Sequence, residues 1–376
     1  MRIIIFIDKW DAGGIESYLL SHLKHIDRRG MDIEIVTSIK ITNNYDDLID
    51  SLGIKVKELL PKKKYTPLIR TMLLIKEFNK YIVNVNADII HFNIYNAVSM
   101  IYCFQSRKHI RHRIIHSHNS SIEPSKGRAL KILVHKLCRF LFLKYATNKW
   151  ACSDLAGKWM FGENVEYEYI KNGVDVERFR FDLEKRNSFR EKYNIACDEI
   201  ILGNIGRMNT QKNQQFLIDV FNKYRENNKK TKLFIVGEGE QKEYLENKVN
   251  NLGLSEDIVF LGVVSEVAEF FSGIDIFCLP SLFEGNPVSA IEGQISGVKM
   301  LISDTITSNA VLLNETEKVS IDSMDTWVSR LNTSIVGTSD YRLGSISAVV
   351  RKGFSIEDTS KKLEENYRSI YGKNIN

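Results

Sequence analysis

The chain of 376 residues has only five cysteines, Cys103, Cys138, Cys152, Cys197 and Cys278, with no CxxC pair and no His/Cys group at metal-ligand spacing. That excludes a disulfide scaffold and a zinc-ribbon site, and reads as a reduced, cytoplasmic protein with no metal centre. No stretch is long and uncharged enough to span a bilayer. The apolar start, Ile3 to Ile7, meets Asp8 after five residues, so it is expected to be a first strand and not a signal peptide. Low-complexity segments are missing, and so is G-x-G-x-x-G, which leaves a dinucleotide site poorly supported. Acidic residues are scarce in one place: 107–149 holds 11 Lys and Arg against the single Glu123. Over 1–170 there are 26 Lys and Arg against 17 Asp and Glu, and over the remainder 26 against 30.

What the chain does have is two series of alternating strands and helices. Strands are expected near 2–7, 31–37, 54–58, 88–92, 112–116, 148–152 and 167–171, then near 200–206, 232–236, 258–262, 274–279 and 299–303. Alternating βα units imply right-handed crossovers and parallel sheets, so the fold class is α/β with two Rossmann-like domains. The length suits two such cores. The boundaries fall at 1–172 and 173–354, with a polar stretch from Asn172 to about Asn194 where hydrophobic periodicity lapses. A last helix over 355–372 has no strand to pair with. Two such domains facing one another leave a cleft lined by the carboxyl ends of both sheets, where ligands of these sheets bind.

The densest motif is Pro280-Ser281-Leu282-Phe283-Glu284-Gly285-Asn286-Pro287, followed by Val288-Ser289-Ala290-Ile291-Glu292. It follows a buried-strand run, Ile274 to Leu279. Asn286 reads as an N-cap and Pro287 as the first helical residue, with the helix stopping near Gly297. The amides of Val288 and Ser289 would then form an anion site. Glu292 lies roughly 7 Å further along the axis and can accept hydrogen bonds from hydroxyls. A diphosphate at the helix start with hydroxyls to either side describes a sugar nucleotide.

Other strand ends carry supporting groups. Gly206-Arg207…Lys212-Asn213 puts two cations at the mouth of the second sheet, fit to neutralise a diphosphate leaving group; as ordinary surface charge they would do nothing. Gly237, in Val236-Gly237-Glu238-Gly239, is placed to admit a nucleotide, and Val263 to lie near its base, although either turn alone could be structural. In the first domain, Gly13 and Gly14 open the first helix, where the backbone can approach a ligand closely. His118 and Asn119 follow a strand end, where a histidine can bond a hydroxyl or stabilise charge as imidazolium. His91 closes another strand and is a second acceptor-side candidate, and His116 reads as a core residue. Acceptor contacts are expected in loops 60–66, 93–96 and 119–126.

The helical stretch 127–146 carries Leu130, Leu133, Val134, Leu137, Leu141 and Phe142 on core-like spacing, widened by Phe140 and Leu143. Lys131, Lys136, Arg139 and Lys144 accompany them, without an acidic residue. Two readings stand: an element that binds an anionic membrane surface, or a domain helix with a solvated basic face. Nucleic acid is not expected, because no recognised binding motif accompanies the patch.

Taken together, the Gly13-Gly14-Ile15-Glu16 loop, His118, Asn172-Gly173-Val174-Asp175, Gly206-Arg207, Lys212-Asn213, Val236-Gly237-Glu238-Gly239 and the pair Glu284 and Glu292 resemble the retaining glycosyltransferase family 4. The resemblance runs over nearly the whole chain. Ala151 to Trp159 and Ile170 to Asp175 are similar to the subgroup that builds capsules and exopolysaccharides. It implies a GT-B fold, an interdomain cleft, and a final helix crossing back to the first domain. It also implies transfer of a sugar from a UDP-linked donor to a saccharide or lipid-linked saccharide acceptor. Glu284 would contact sugar hydroxyls and Glu292 the ribose. Gly285, Asn286, Pro287 and Val288 would offer backbone donors, while Arg207 and Lys212 hold the diphosphate. Asn286 departs from the larger apolar residue usual there, which leaves donor sugar choice open. Without a D-x-D motif, no metal or other cofactor is expected, and Glu284 orients the sugar and does not attack it. Two rival readings are a nucleotide-sugar epimerase of the same fold and a non-catalytic sugar-nucleotide-binding subunit.

Overall fold

The apolar runs pair as parallel strands in a computed structural model that describes residues 1–11, 13–60, 65–334, 337 and 339–372. The first sheet comprises β1 (Arg2–Trp10), β2 (Asp32–Lys40), β3 (Lys55–Glu58), β4 (Ile89–Ile94), β5 (His112–Ser117), β6 (Asn148–Ala151) and β7 (Glu168–Tyr169), in the order β3-β2-β1-β4-β5-β6-β7. The second comprises β8 (Ile200–Ile205), β9 (Thr231–Val236), β10 (Ile258–Gly262), β11 (Ile276–Leu279), β12 (Lys299–Ser303) and β13 (Thr316–Val319), in the order β10-β9-β8-β11-β12-β13. Ile3 to Ile7 are wholly buried on both faces of β1, which is why that strand reads as a continuous apolar run. The edge strand β13, Thr-Glu-Lys-Val, escapes the sequence reading because it is short and charged.

The chain divides into two units, Met1–Gly173 together with the final helix Ile356–Gly372, and Val174–Ser355. The final helix packs on the first helix, Gly14–His25, burying Leu363, Tyr367 and Ile370 in a core that includes Ile3, Ile5, Tyr18 and Leu19. In each sheet the strand order reverses once, between β1 and β4 and between β8 and β11. The carboxyl ends of strands at such a reversal are where ligands of parallel sheets bind. The motif loops at 206–213 and 280–287 follow β8 and β11.

The polar stretch after Asn172 begins where the two units divide, and it holds the helices Val176–Phe179 and Leu183–Lys192. Asp182 caps the second by accepting from the amides of Glu184 and Lys185. Arg186 and Arg190 reach from it to the buried Asp275, at 2.6 and 3.3 Å, and Phe189 between them packs on Phe234 and Phe270. The helix Arg128–Phe142 departs from the reading of a domain helix whose leucines face the core. Leu130, Leu133, Leu137 and Leu141 face solvent, and Phe140 is 81% exposed. The fully buried residue of that helix is His135, which accepts from the Ala97 amide at 3.0 Å and stacks on Trp159. Among the described residues no helix is long and apolar enough to cross a membrane.

Candidate functional site

The loops after β8 and β11 bring several of the candidate donor residues of the second unit together. Asn213, in the left-handed region at φ 54°, precedes the helix Gln214–Arg225, and its amide donates to the Pro280 carbonyl at 3.2 Å. Gln211 donates to the Phe283 carbonyl at 3.0 Å and accepts from the Leu282 amide at 2.8 Å. Lys212, held between them, donates its own amide to Asn209 Oδ1. These bonds fix one loop against the other, and the result is an ion pair: Lys212 Nζ lies 2.6 Å from Glu284 Oε1. The two side chains are only 17% and 9% exposed.

Glycines make this possible. A Cβ at Gly206 would lie 2.8 to 3.0 Å from three carbons of the Lys212 stem, so only glycine lets the lysine pass. Gly237, at φ 129°, stacks so closely on the Gly206 carbonyl that a Cβ there would sit 2.2 Å from its oxygen. Val263 follows the irregular end of β10 and is largely exposed. Arg207 is a half-exposed cation whose guanidinium lies 3.5 Å from the Glu240 carboxylate.

The helix of the main motif spans Val288–Ile295, and its N-cap is Pro287, not Asn286. Asn286 instead lies buried in the preceding turn together with Gly285. Pro287 has no side-chain cap to offer, and the positive dipole end of the helix follows directly on the 280–287 loop. Glu292, one turn on, is half-buried, and burial raises its carboxyl to about 7, against a smaller opposing pull from Arg178. Sequence reasoning missed Gln294. Its carbonyl accepts from the amides of Leu312 and Leu313 and from the Thr316 hydroxyl, while its amide donates to the carbonyls of Ala290 and Ala310. This one side chain ties the motif helix to the loop before β13.

In the first unit, Gly13 is the N-cap of the first helix, and Gly14 begins it. Glu16 folds back to accept from the Asp11 amide at 2.9 Å, and a Cβ at Gly13 would strike its carboxylate at 2.8 Å. Ala12 of this loop, and 61–64 of the loop 60–66, lie outside the described residues. His118 bonds Asn93 Oδ1 at 2.8 Å and retains some exposure. Burial first, and the charge of His22 second, lower it to about 3, so it is a neutral imidazole and not the imidazolium that sequence reasoning allowed. Asn119 uses its side chain on the Ser120 amide. His91 is a correction. It is wholly buried, with Nδ1 2.7 Å from the Tyr367 hydroxyl of the final helix and Nε2 3.2 Å from His116 Nδ1, so it cannot meet an acceptor.

Two parallel sheets with a cationic, uncapped crevice on the second are the architecture of the GT-B glycosyltransferases. Residues 12–178 match the family profile described as Glycosyltransferase Family 4, and residues 185–331 the one described as Glycosyl transferases group 1. The chain is a family 4-like glycosyltransferase of GT-B fold, an enzyme that transfers hexosyl groups. It is 28% identical to the glycosyltransferase EpsF of Bacillus subtilis over 81% of this chain and 80% of that one. It is 26% identical to the UDP-Gal:alpha-D-GlcNAc-diphosphoundecaprenol alpha-1,3-galactosyltransferase of Escherichia coli, over 68% of each. With the capsular polysaccharide biosynthesis glycosyltransferase CapH of Staphylococcus aureus the identity is 23%, over 98% and 99%. Among solved structures, HepE of Anabaena in complex with UDP and glucose superposes with a TM-score of 0.79 at 16% identity, covering 98% of this chain and all of that one.

Proposed function

We propose that the chain transfers a hexose from a UDP-linked donor, with retained anomeric configuration, to a saccharide or lipid-linked saccharide at the cytoplasmic face of the membrane. The observation that carries this reading is the Lys212–Glu284 pair beside the uncapped start of the helix Val288–Ile295. It offers, within one crevice, a cation for phosphate, a carboxylate for sugar hydroxyls and backbone donors for developing anionic charge. Glu292, one turn along the helix, accepts from the ribose. The UDP-bound relative of the same fold and the UDP-galactose-dependent relative favour uridine as the base.

The chemistry follows from charge. As the bond between anomeric carbon and phosphate oxygen breaks, negative charge grows on the diphosphate. Lys212, Arg207 and the helix amides stabilise it. These groups perform the work otherwise done by a divalent cation, so the reaction is proposed to need no metal. Retention follows if the acceptor hydroxyl attacks from the face the diphosphate leaves, giving its proton to the departing phosphate. Glu284 holds the ring in place. His118, neutral in its Asn93 hydrogen bond, is fit to bond an acceptor hydroxyl in the first unit.

The helix Arg128–Phe142 supplies the membrane contact in this reading. Its exposed Leu130, Leu133, Leu137, Phe140 and Leu141 are bordered by Lys126, Arg128, Lys131, Lys136 and Lys144, and no acidic residue occurs between Glu123 and Asp154. Apolar insertion with a basic border suits an anionic bilayer.

A sugar-nucleotide panel with thermal-shift readout tests the donor, since a tight ligand raises apparent stability by mass action. Proton NMR of the product then reads its anomeric configuration. Turnover to an epimer without acceptor would replace this reading with the epimerase, and an inverted product would remove the retaining mechanism.

A further inference from the structure

A neutral histidine can offer a hydroxyl either a proton or a lone pair, and at His118 the side chain of Asn93 decides which. Resting on the reading above that His118 meets an acceptor hydroxyl, we infer that Asn93 is a positioning residue that holds His118 in one tautomer. The proton sits on Nε2, and the lone pair of Nδ1 is left to accept from a sugar hydroxyl.

The carbonyl oxygen of His91, on the same strand as Asn93, can only accept. The Asn93 amide nitrogen lies 3.5 Å from it. That contact is long, yet it sets the amide, since the reverse orientation would turn one carbonyl oxygen toward another. Oδ1 therefore faces His118, 2.8 Å from Nε2. An amide oxygen cannot donate, so Nε2 carries the hydrogen. Burial first, and the charge of His22 second, keep the ring neutral, and a neutral imidazole has a single N–H. Nδ1 is then a bare lone pair. Among the described residues it has no hydrogen-bond partner, and it is not sealed from water. A hydroxyl that meets it must donate. Because the ring is a weak base, it orients that hydroxyl and does not take its proton, which leaves the proton for the departing phosphate. The frame around the pair is firm. Asn93 is wholly buried and lies opposite His116 where β4 pairs with β5. The His118 amide donates to the Ile94 carbonyl at 3.4 Å. The rings of His116 and Tyr18 pack on the imidazole, with centroids at 4.0 and 5.2 Å.

Nitrogen-15 NMR of the full chain labelled at histidine reads the tautomer directly, because protonated and bare ring nitrogens resonate far apart. His118→Gln assigns the signals by their loss. Between pH 6 and 8 the wild type is expected to show Nε2 protonated and Nδ1 bare. Asn93→Leu strands a buried N–H, so His118 is expected to lose this single tautomer and populate both. Asn93→Asp keeps an acceptor and should restore it. The new carboxylate also favours imidazolium, so His118 should take its second proton about 1–3 pH units higher than in the wild type. The titratable groups facing the ring, Tyr18 and His22 of the first helix and His116 of β5, are common to both proteins. A residue that merely fills space at position 93 would not move that titration. At least one of the methyl glycosides of glucose, galactose and N-acetylglucosamine, added at high concentration, is expected to shift Nδ1 and leave Nε2 in place. A protonated Nδ1 in the wild type, or an unchanged tautomer in Asn93→Leu, overturns the inference. A bare Nδ1 that no glycoside moves overturns the hydroxyl contact and, with it, the acceptor reading of His118. If Asn93→Leu does not fold, the wild-type spectrum and the titration of Asn93→Asp decide.

Discussion

Glu292 carries the most direct consequence of the donor site's burial. Its carboxyl titrates near 7 in the folded chain against an ordinary 4.5, chiefly because burial disfavours the ionised form. Below about pH 4.5 both folded and unfolded chains hold the proton, so the residue is neutral to stability. Between 4.5 and about 7 the unfolded chain releases the proton while the folded chain keeps it. Stability therefore falls as pH rises through this window, and the full penalty persists above it. At about 1.36 kcal/mol per pKa step the ceiling is roughly 3 kcal/mol, reduced because the carboxyl keeps some contact with water. Glu292→Gln removes the penalty. The variant should match wild type near pH 4.5 and melt higher at pH 8 by roughly 4–8 °C for a domain of this size. The same substitution should weaken donor binding, because an amide accepts less strongly from ribose hydroxyls than a carboxylate. Wild-type donor affinity should rise with pH up to about 7 and then level, and in the variant this rise should vanish. Differential scanning fluorimetry from pH 5 to 8, with and without UDP-glucose, reads both effects. Melting curves for wild type and variant that stay parallel across that range would refute the reasoning.

Three further outcomes are expected. Gln294→Leu strands two buried amides and a hydroxyl, and should cost about 3–5 kcal/mol in urea unfolding of the second unit. Tyr367→Phe leaves His91 Nδ1 buried without its partner, so stability should drop by about 1–3 kcal/mol while UDP affinity in the second unit stays unchanged. In sedimentation with anionic vesicles, Phe140→Glu combined with Leu137→Glu should lower bound protein at least about tenfold, given roughly 2 kcal/mol for each large apolar side chain withdrawn from lipid. Both residues are exposed, so the melting temperature should hold; equal binding by variant and wild type would remove the membrane contact.

How much of this was legible beforehand can be argued residue by residue. The run Ile274 to Leu279 and the turn after it announced β11 and its loop, because apolar continuity and Gly/Pro punctuation are local properties. Gly206 and Gly237 were placed at strand ends for the same reason. The helix start was misjudged by one residue, since Asn286 has the right chemistry for a cap but lies buried in the turn. In 128–142 the periodicity was read correctly as amphipathic. A period identifies two faces and does not say which one meets the core, and here the apolar face meets solvent.

The sequence by itself determined the alternation of strands and helices, the parallel sheets, and the loops that carry cations and carboxylates. Those follow from spacing along the chain, which short-range sterics and hydrogen bonding translate directly into elements. Only the tertiary structure decided that Lys212 neutralises Glu284 across 72 residues, and that His91 is taken by Tyr367 across 276. It alone also decided that Glu292 sits where water scarcely supports its charge. Ion pairing, burial and pKa depend on distance in space and on excluded solvent, and neither exists until folding brings distant strands and helices side by side.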